Sequence, residues 1–324
     1  MFTAWTILQT TKQLIHFGKT SKNSFCFVGN KAGQTSLQML KSREVKMKTY
    51  TPLRYPGGKS KLTPFIKEVF KSNRLLDGTY VEPYAGGSAV ALSLLCDGYA
   101  GKIIINDFDF SIFAFWHSAI FDTEKFINKL LEIPVTMIEW GQQKEIYENP
   151  KDFSLFELGF ATFFLNRTNH SGIIKGGVIG GKNQTGKYPI DARFKKKGLI
   201  DRIRFISGFR NRISVHNCDA IDLIDGIPLG NKSLIYLDPP YYVKGSCLYK
   251  NYYTHNDHKK IADRFDDINT PCIITYDNVK QIQELYQHHD YLDFQLRYSA
   301  NKTRCKGSEI MIYKNIELPE TKVI

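Results

Sequence analysis

The sequence predicts an α/β protein built on a mostly parallel sheet with helices on both faces. Three observations carry that prediction. Short apolar runs of strand length recur along the chain with helical segments between them, the alternation that a parallel sheet requires. Two of these runs, Ile103-Ile-Ile-Asn-Asp107 and Leu234-Ile-Tyr-Leu-Asp238, end abruptly in acid. A glycine-rich, basic segment from about residue 166 fits neither strand nor helix and reads as an insertion between two halves of the sheet.

At 324 residues the chain is long enough for one large or two ordinary domains. No apolar run approaches the length of a membrane span, so no membrane partner is expected. Six scattered cysteines without a C-x-x-C pair argue against a disulfide framework or a zinc site. They fit a reducing, cytoplasmic setting, and no metal is expected. The formal net charge of +12 favours a polyanionic partner. That charge is uneven. From Arg167 to Arg212 twelve Lys and Arg face only Asp191 and Asp201, and from Met1 to Lys46 seven face only Glu44.

In order along the chain, residues 1–46 form a basic leader, expected to be poorly ordered. It reads as a transit-like segment, as upstream sequence added by the choice of start codon before Met47, or as a basic arm. Tyr55-Pro-Gly-Gly-Lys59 then sets a cation beside a glycine pair and precedes a helix predicted over Leu62 to Phe70. The P-loop spacing is absent. Thr79 to Leu95 reads as strand, Gly86-Gly87 turn and helix, with the turn placed where backbone can approach a ligand. The next strand ends at Asp107. An acid some twenty residues past a glycine turn is placed to bind ribose hydroxyls, and Asp109 competes for that role. Phe110 to about Leu165 is helical. Short strands are predicted at Ile213 to His216, Ser233 to Leu237, Cys272 to Thr275, Phe294 to Tyr298 and Glu309 to Tyr313. Helices are predicted over His258 to Asp266 and Val279 to His288. The domains expected are a catalytic sheet, 47–120 with 213–324, and an insertion, 121–212.

Asp238-Pro-Pro-Tyr241 closes a buried strand with a stiff turn, since each proline fixes its own φ and the second restricts the first. A carboxylate, carbonyls without competing N–H groups and an aromatic ring then meet at the carboxyl end of a strand, where open α/β sheets bind ligands. Such a set suits a nucleobase carrying an exocyclic amine. A plain proline turn capped by Asp238 is the blander alternative. Basic residues interleaved with Asn, Thr and His in the insertion suit phosphates and base edges, and Arg167, Asn169, Lys175, Lys187 and Arg193 are the expected DNA contacts.

Tyr-Pro-Gly-Gly-Lys (55–59), Val-Glu-Pro-Tyr-Ala-Gly-Gly (81–87), Asn-Asp-Phe-Asp (106–109), Phe-Leu-Asn-Arg-Thr (164–168) and Asp-Pro-Pro-Tyr (238–241), with Ile-Thr-Tyr-Asp-Asn (274–278) and Tyr-Ser-Ala (298–300), occur in an order that resembles the Dam-type adenine-specific DNA methyltransferases. The resemblance implies a Rossmann-like methyltransferase sheet with an inserted helical or hairpin target-recognition domain. It implies S-adenosylmethionine as cofactor and double-stranded DNA as partner, with a restriction endonuclease possible in the same system. It makes Tyr55, Lys59, Glu82, Tyr84, Gly86, Asp107, Asp219 and Asp238 the expected cofactor contacts. Asp238, Pro239, Pro240 and Tyr241 are the expected catalytic group, with Tyr241 stacked on a flipped adenine. Three positions depart from the family pattern: Tyr55 where tryptophan is usual, Ser88 where glycine is frequent, and Ala220 where an aromatic often follows the acid. RNA or cytosine-amine methylation, or an inactive DNA-binding relative, are the rival readings.

Overall fold

The computed structural model describes residues 47, 49–55, 58–243, 253–297 and 306–320. The leader 1–46, Pro56, Gly57, the stretch 298–300 and Cys26, Cys247 and Cys305 lie outside the described residues. Seven strands form one sheet: β1 (Gly78–Glu82), β2 (Ala100–Asn106), β3 (Ile213–His216), β4 (Ser233–Leu237), β5 (Cys272–Asp277), β6 (Tyr291–Arg297) and β7 (Lys306–Lys314). Their order is β3-β2-β1-β4-β5-β7-β6. The first five run parallel, and β7 enters antiparallel between β5 and β6. The strand order reverses between β1 and β4, the switch point at whose carboxyl ends a crevice opens.

Side chains alternate across the pleat and divide the core into two layers. Tyr80, Ile103, Ile105, Leu234, Tyr236, Ile273 and Met311 face one side, packed with α1 (Thr63–Ser72), α2 (Ala89–Cys96) and α3 (Phe110–Phe121). Val81, Ile104, Ile235, Leu237, Ile274, Ile310 and Ile312 face the other. The parallel strands are buried on both faces, which is why they read as continuous apolar runs.

Between β2 and β3 the chain also forms α4 (Thr123–Glu132), α5 (Met137–Glu148), α6 (Leu155–Thr168) and α7 (Lys196–Ser207). Ser154 and Glu157 close a capping box at the start of α6. Phe126 meets Phe156, Phe160 and Phe163, and Phe163 stacks on Phe115 of α3. The core therefore runs without a break from the sheet into the insertion. The second face carries α8 (Ala220–Gly226), α9 (His255–Asp267) and α10 (Lys280–Leu285), the middle one begun by a Thr254–Asp257 capping box.

The expected elements are present with shifted ends. β6 and β7 are longer than the sequence implied because they form an antiparallel ladder that pairs residue for residue from Tyr291 to Arg297. Asn166, Arg167 and Thr168, expected to open the loop, complete the last turn of α6 instead. The loop proper begins at Asn169, which bridges to Val178.

α3 and α6 cross at Gly159, where a Cβ would stand 2.3 Å from the Ala114 carbonyl oxygen. Gly159→Val should force these helices apart at an overpacking cost of about 1–3 kcal/mol. A thermal melt followed by far-UV circular dichroism should show a midpoint several degrees lower than wild type.

Candidate active site

The crevice at the switch point is held by polar side chains at the strand ends. Asn106, the last residue of β2, is 1% exposed. Its amide donates to the Pro83 and Cys218 carbonyls at 2.9 and 3.0 Å, and its oxygen accepts from the Cys218 N–H at 3.0 Å. It thus ties together the segments that follow β1 and β3. The next residue, Asp107, accepts from the Gly86 and Asp109 amides, each at 2.9 Å. Gly86 has φ +44°, and its carbonyl accepts from the buried Trp116 indole at 2.9 Å.

The Gly86-Gly87 pair does more than admit a ligand. A Cβ on Gly86 would stand 2.6 Å from the Tyr55 ring, and one on Gly87 would stand 2.8 Å from the Tyr55 Cβ. The glycines let that ring lie on the turn, and so the first two sequence motifs become one surface.

On the other side of the switch point, β4 delivers Asp238. The Lys59 ammonium, 5% exposed, donates to Asp238 Oδ1 at 2.6 Å and to the Tyr241 hydroxyl at 2.9 Å. Thr275 on β5 donates to the same Asp238 oxygen at 3.1 Å. The Tyr241 hydroxyl donates in turn to Glu309 Oε1 on β7 at 2.7 Å. Asp277 accepts from the Tyr242 and Val243 amides and fixes the chain beyond the prolines.

Tyr55, Lys59, Glu82, Tyr84, Gly86, Asp107, Asp238 and Pro240 all line one cavity of about 390 Å³, within the range of small-molecule sites. Its wall is acidic. Burial pushes the Glu82 carboxyl well above the usual range, with the neighbouring Asp238 adding to the shift. One Glu82 oxygen, Oε2, is buried without a donor among the described residues. Burial, with the nearby Asp109, pushes Asp107 up to about 7. A cavity so lined is prepared for a ligand that carries positive charge and hydroxyl donors.

Three expected site residues stand elsewhere. Tyr241 is 6% exposed, turned to Lys59 and Glu309 with the ammonium 4.8 Å from its ring centre, so it does not offer an open ring. Pro239 is buried and does not line the cavity. Asp219 caps α8, accepting from the Ile221 amide at 2.8 Å, and does not line the cavity. Its charge still reaches Tyr84 and Tyr253 at the cavity edge. The sequence reading missed Phe108, Tyr253, Thr275 and Glu309. Phe108 could have been suspected as an aromatic between two acids, and Glu309 as a lone acid opening an apolar strand. Thr275 lies in the motif 274–278 without standing out within it, and Tyr253 carries no such signal.

Two of the expected DNA contacts need correction. Asn169 is fully buried, its oxygen accepting from the Trp140 indole at 2.7 Å and its amide donating to the Ile174 carbonyl. Arg167 is 9% exposed and spends its guanidinium on the Arg193 and Pro52 carbonyls. Both are spent on holding the loop to α6. Asn166 likewise joins the Arg54 backbone through paired hydrogen bonds of 2.8 Å. Lys175, Lys187 and Arg193 are exposed. Lys187 and Arg193 line a second hollow of about 500 Å³ with Arg54, His170 and Tyr188. Arg54, Arg193 and Arg202 crowd Arg167, which burial and that crowding lower to about 9. None of these four arginines forms a salt bridge among the described residues.

Residues 55–300 match the family model of the D12 class N6 adenine-specific DNA methyltransferases. Among curated proteins, the type II methyltransferase M.MjaIII of Methanocaldococcus jannaschii is 24% identical over 205 residues, which cover 58% of this chain and 68% of that protein. The modification methylase StsI of Streptococcus sanguinis is 23% identical over 322 residues, 90% of this chain, which spans about half (46%) of that methylase's length. Among solved structures, an rRNA methylase from Streptococcus thermophilus aligns at 8% identity over 77% of this chain and 93% of its own, with a TM-score of 0.29, too slight a likeness to argue from.

Asp107 binds its proton more tightly in the folded than in the unfolded chain. Its contribution to stability is present below 3.8 and is lost as pH rises to about 7. Glu309, raised from 4.5 to about 7, acts in the same direction. The melting temperature should therefore fall as pH rises across that window, and Asp107→Asn should flatten part of the fall in parallel melts.

Proposed function

The chain belongs to the D12 class of N6 adenine-specific DNA methyltransferases, and on that premise we propose that it transfers a methyl group from S-adenosylmethionine to the exocyclic amine of an adenine flipped out of double-stranded DNA. The observation that carries this reading is the Lys59–Asp238 pair in the wall of an acid-lined cavity, on the switch point of the sheet.

The residues present fit the cofactor. The orphaned Glu82 oxygen suits its ammonium, and the unused lone pairs of Asp107 suit its ribose hydroxyls. Phe108, 61% exposed beside Asp107, offers an apolar face to an adenine ring. When bound, S-adenosylmethionine supplies an electrophilic methyl group activated by its sulfonium.

Asp238 is the group placed to meet the substrate amine. Lys59 and Thr275 both engage Oδ1, and Oδ2 has no hydrogen bond among the described residues. That oxygen can accept one N6 hydrogen and direct the nitrogen lone pair, while carbonyls of the proline turn accept the other. As the N–C bond formed, the methyl–sulfur bond would break and leave a neutral thioether, and the nitrogen, made positive, would give up one proton, for which Asp238 is the acceptor placed at the cavity wall. Fixing these groups before the substrate arrives can be worth roughly 7–11 kcal/mol in favourable cases. The target amine is stacked inside a duplex, so the base must be extruded to reach Asp238. Tyr241 contributes by holding Lys59, and any stacking on the base requires its ring to turn outward from the arrangement described above.

Residues 121–212 act in this reading as the target-recognition segment, set against the catalytic parts 47–120 and 213–324. The hollow of Arg54, His170, Lys187, Tyr188 and Arg193 is its DNA-facing part. Guanidinium groups that crowd one another without a carboxylate partner favour a phosphodiester between them. The two methyltransferase relatives support a role in DNA modification, with a restriction endonuclease as a partner in the same system. No helix among the described residues is long and apolar enough to cross a membrane, and a DNA substrate fits a cytoplasmic enzyme.

Asp238→Ala should abolish transfer of labelled methyl to unmethylated DNA while leaving most duplex affinity, measured by filter binding; turnover surviving in this variant would remove Asp238 from the mechanism. Lys187→Ala and Arg193→Ala should each weaken binding across all sequences. Each should also lower the slope of log K against log salt by about 1, read from binding isotherms at several salt concentrations.

A further inference from the structure

Glu309 occupies a place that packing alone does not explain. It is 1% exposed, near the start of β7, opposite Asp277 at the end of β5. Because β7 runs antiparallel, an early residue of that strand arrives at the edge where the parallel strands end. Glu309 does not line the cavity. One of its oxygens accepts from the Tyr241 hydroxyl at 2.7 Å. The other lies 3.9 Å from the Lys59 ammonium and has no hydrogen bond among the described residues. A neutral glutamine would accept the tyrosine proton equally well and avoid burying a charge.

We propose that Glu309 is a positioning residue for methyl transfer, drawing the Lys59 ammonium toward itself through Tyr241 so that Asp238 keeps its negative charge for the substrate amine. This inference rests on the reaction proposed above and deepens it. Lys59 stands between two carboxylates, 2.6 Å from Asp238 and 3.9 Å from Glu309. With both carboxylates ionised, the cluster carries one net negative charge beside the nitrogen that turns positive. With Glu309 protonated, Lys59 alone neutralises Asp238, and the nitrogen loses that stabilisation.

The groups facing Glu309 are Lys59 and Asp238 in the cavity wall, Tyr241 beside them, Asp277 on β5 and Tyr236 on β4. Its Cα partner on β6 is the uncharged Phe294. Burial raises its carboxyl to about 7, Lys59 and the Tyr241 hydrogen bond pull the other way, and Asp238 and Asp277 push further up. The switch between the two charge states therefore falls in the range where DNA duplexes are stable and rates can be followed.

The test is single-turnover methyl transfer from saturating S-adenosylmethionine to unmethylated duplex DNA, measured from about pH 6 to about pH 9 for wild type, Glu309→Gln and Tyr241→Phe. Wild type should accelerate as pH rises through neutrality. Glu309→Gln should be slower at the high end by roughly tenfold to a hundredfold and lack that acidic limb, with the KM for cofactor unchanged. Tyr241→Phe, which removes the hydroxyl between Glu309 and Lys59 but leaves their 3.9 Å contact, should weaken the same limb, and it tests the idea should the glutamine variant fail to fold. Asp107 titrates in the same range, so the assignment rests on the difference between variant and wild type. A glutamine variant with the wild-type rate and profile would overturn the role, as would one slowed equally at every pH with a lowered melting point. Wild type that labels no adenine would overturn the reaction itself, and the inference with it.

Discussion

The bond from Lys59 to Asp238 joins residues 179 positions apart, and the candidate site is assembled around it. Neither partner is stable there alone. A lysine exposed to 5% without a carboxylate, or an aspartate at the end of a fully buried strand without a cation, would carry an uncompensated charge. Together they pin the turn that precedes α1 to the end of β4. Tyr55, four residues before Lys59, can then lie on the Gly86-Gly87 turn after β1. One ion pair thus determines that the motif before the first strand, the turn after it and the proline turn after the fourth share one cavity wall.

Much of this was legible in the sequence because the physics involved is local. Buried parallel strands must be apolar along their length, so the runs at Ile103 to Ile105 and Leu234 to Leu237 announced themselves. Acids at strand ends and a double proline are conspicuous for the same reason. Strand order and the antiparallel entry of β7 depend on pairings between distant segments and have no local signature. Glu309 stood out only as a lone acid opening an apolar strand, and its partners were hidden for that reason. Its chemistry follows from the direction of its strand, which places its side chain against Tyr241 rather than at the far edge of the sheet.

The two failures in the basic segment share a cause. Arg167 and Asn169 lie within a run of polar and charged residues, and composition alone assigns such a run to solvent and to DNA. Helix α6 continues through Thr168, however, and its last turn is buried against the loop at 51–55. Backbone carbonyls left at a helix end and in a buried loop need donors, and Arg167 and Asn169 supply them. The residues that do reach solvent, Lys187 and Arg193, lie farther along, where the glycines break the helical pattern.

These two halves differ in how tightly they are determined. The candidate cavity sits on strand ends tied by the hydrogen bonds of Asn106, Asp107, Lys59 and Asp238. The hollow beside it is carried by a glycine-rich loop, held at its base by Asn166 and Gln184 and open at its rim. Arg54 belongs to both, lining the hollow while the next residue, Tyr55, lines the cavity. A loop with a fixed base and a variable rim can change which bases it reads without disturbing Lys59 or Asp238. The chemistry is therefore written in motifs that can be read from the chain. In the proposed reading, the DNA sequence recognised is set instead by a few exposed side chains on the loop rim, such as Lys187 and Arg193, which no local pattern singles out.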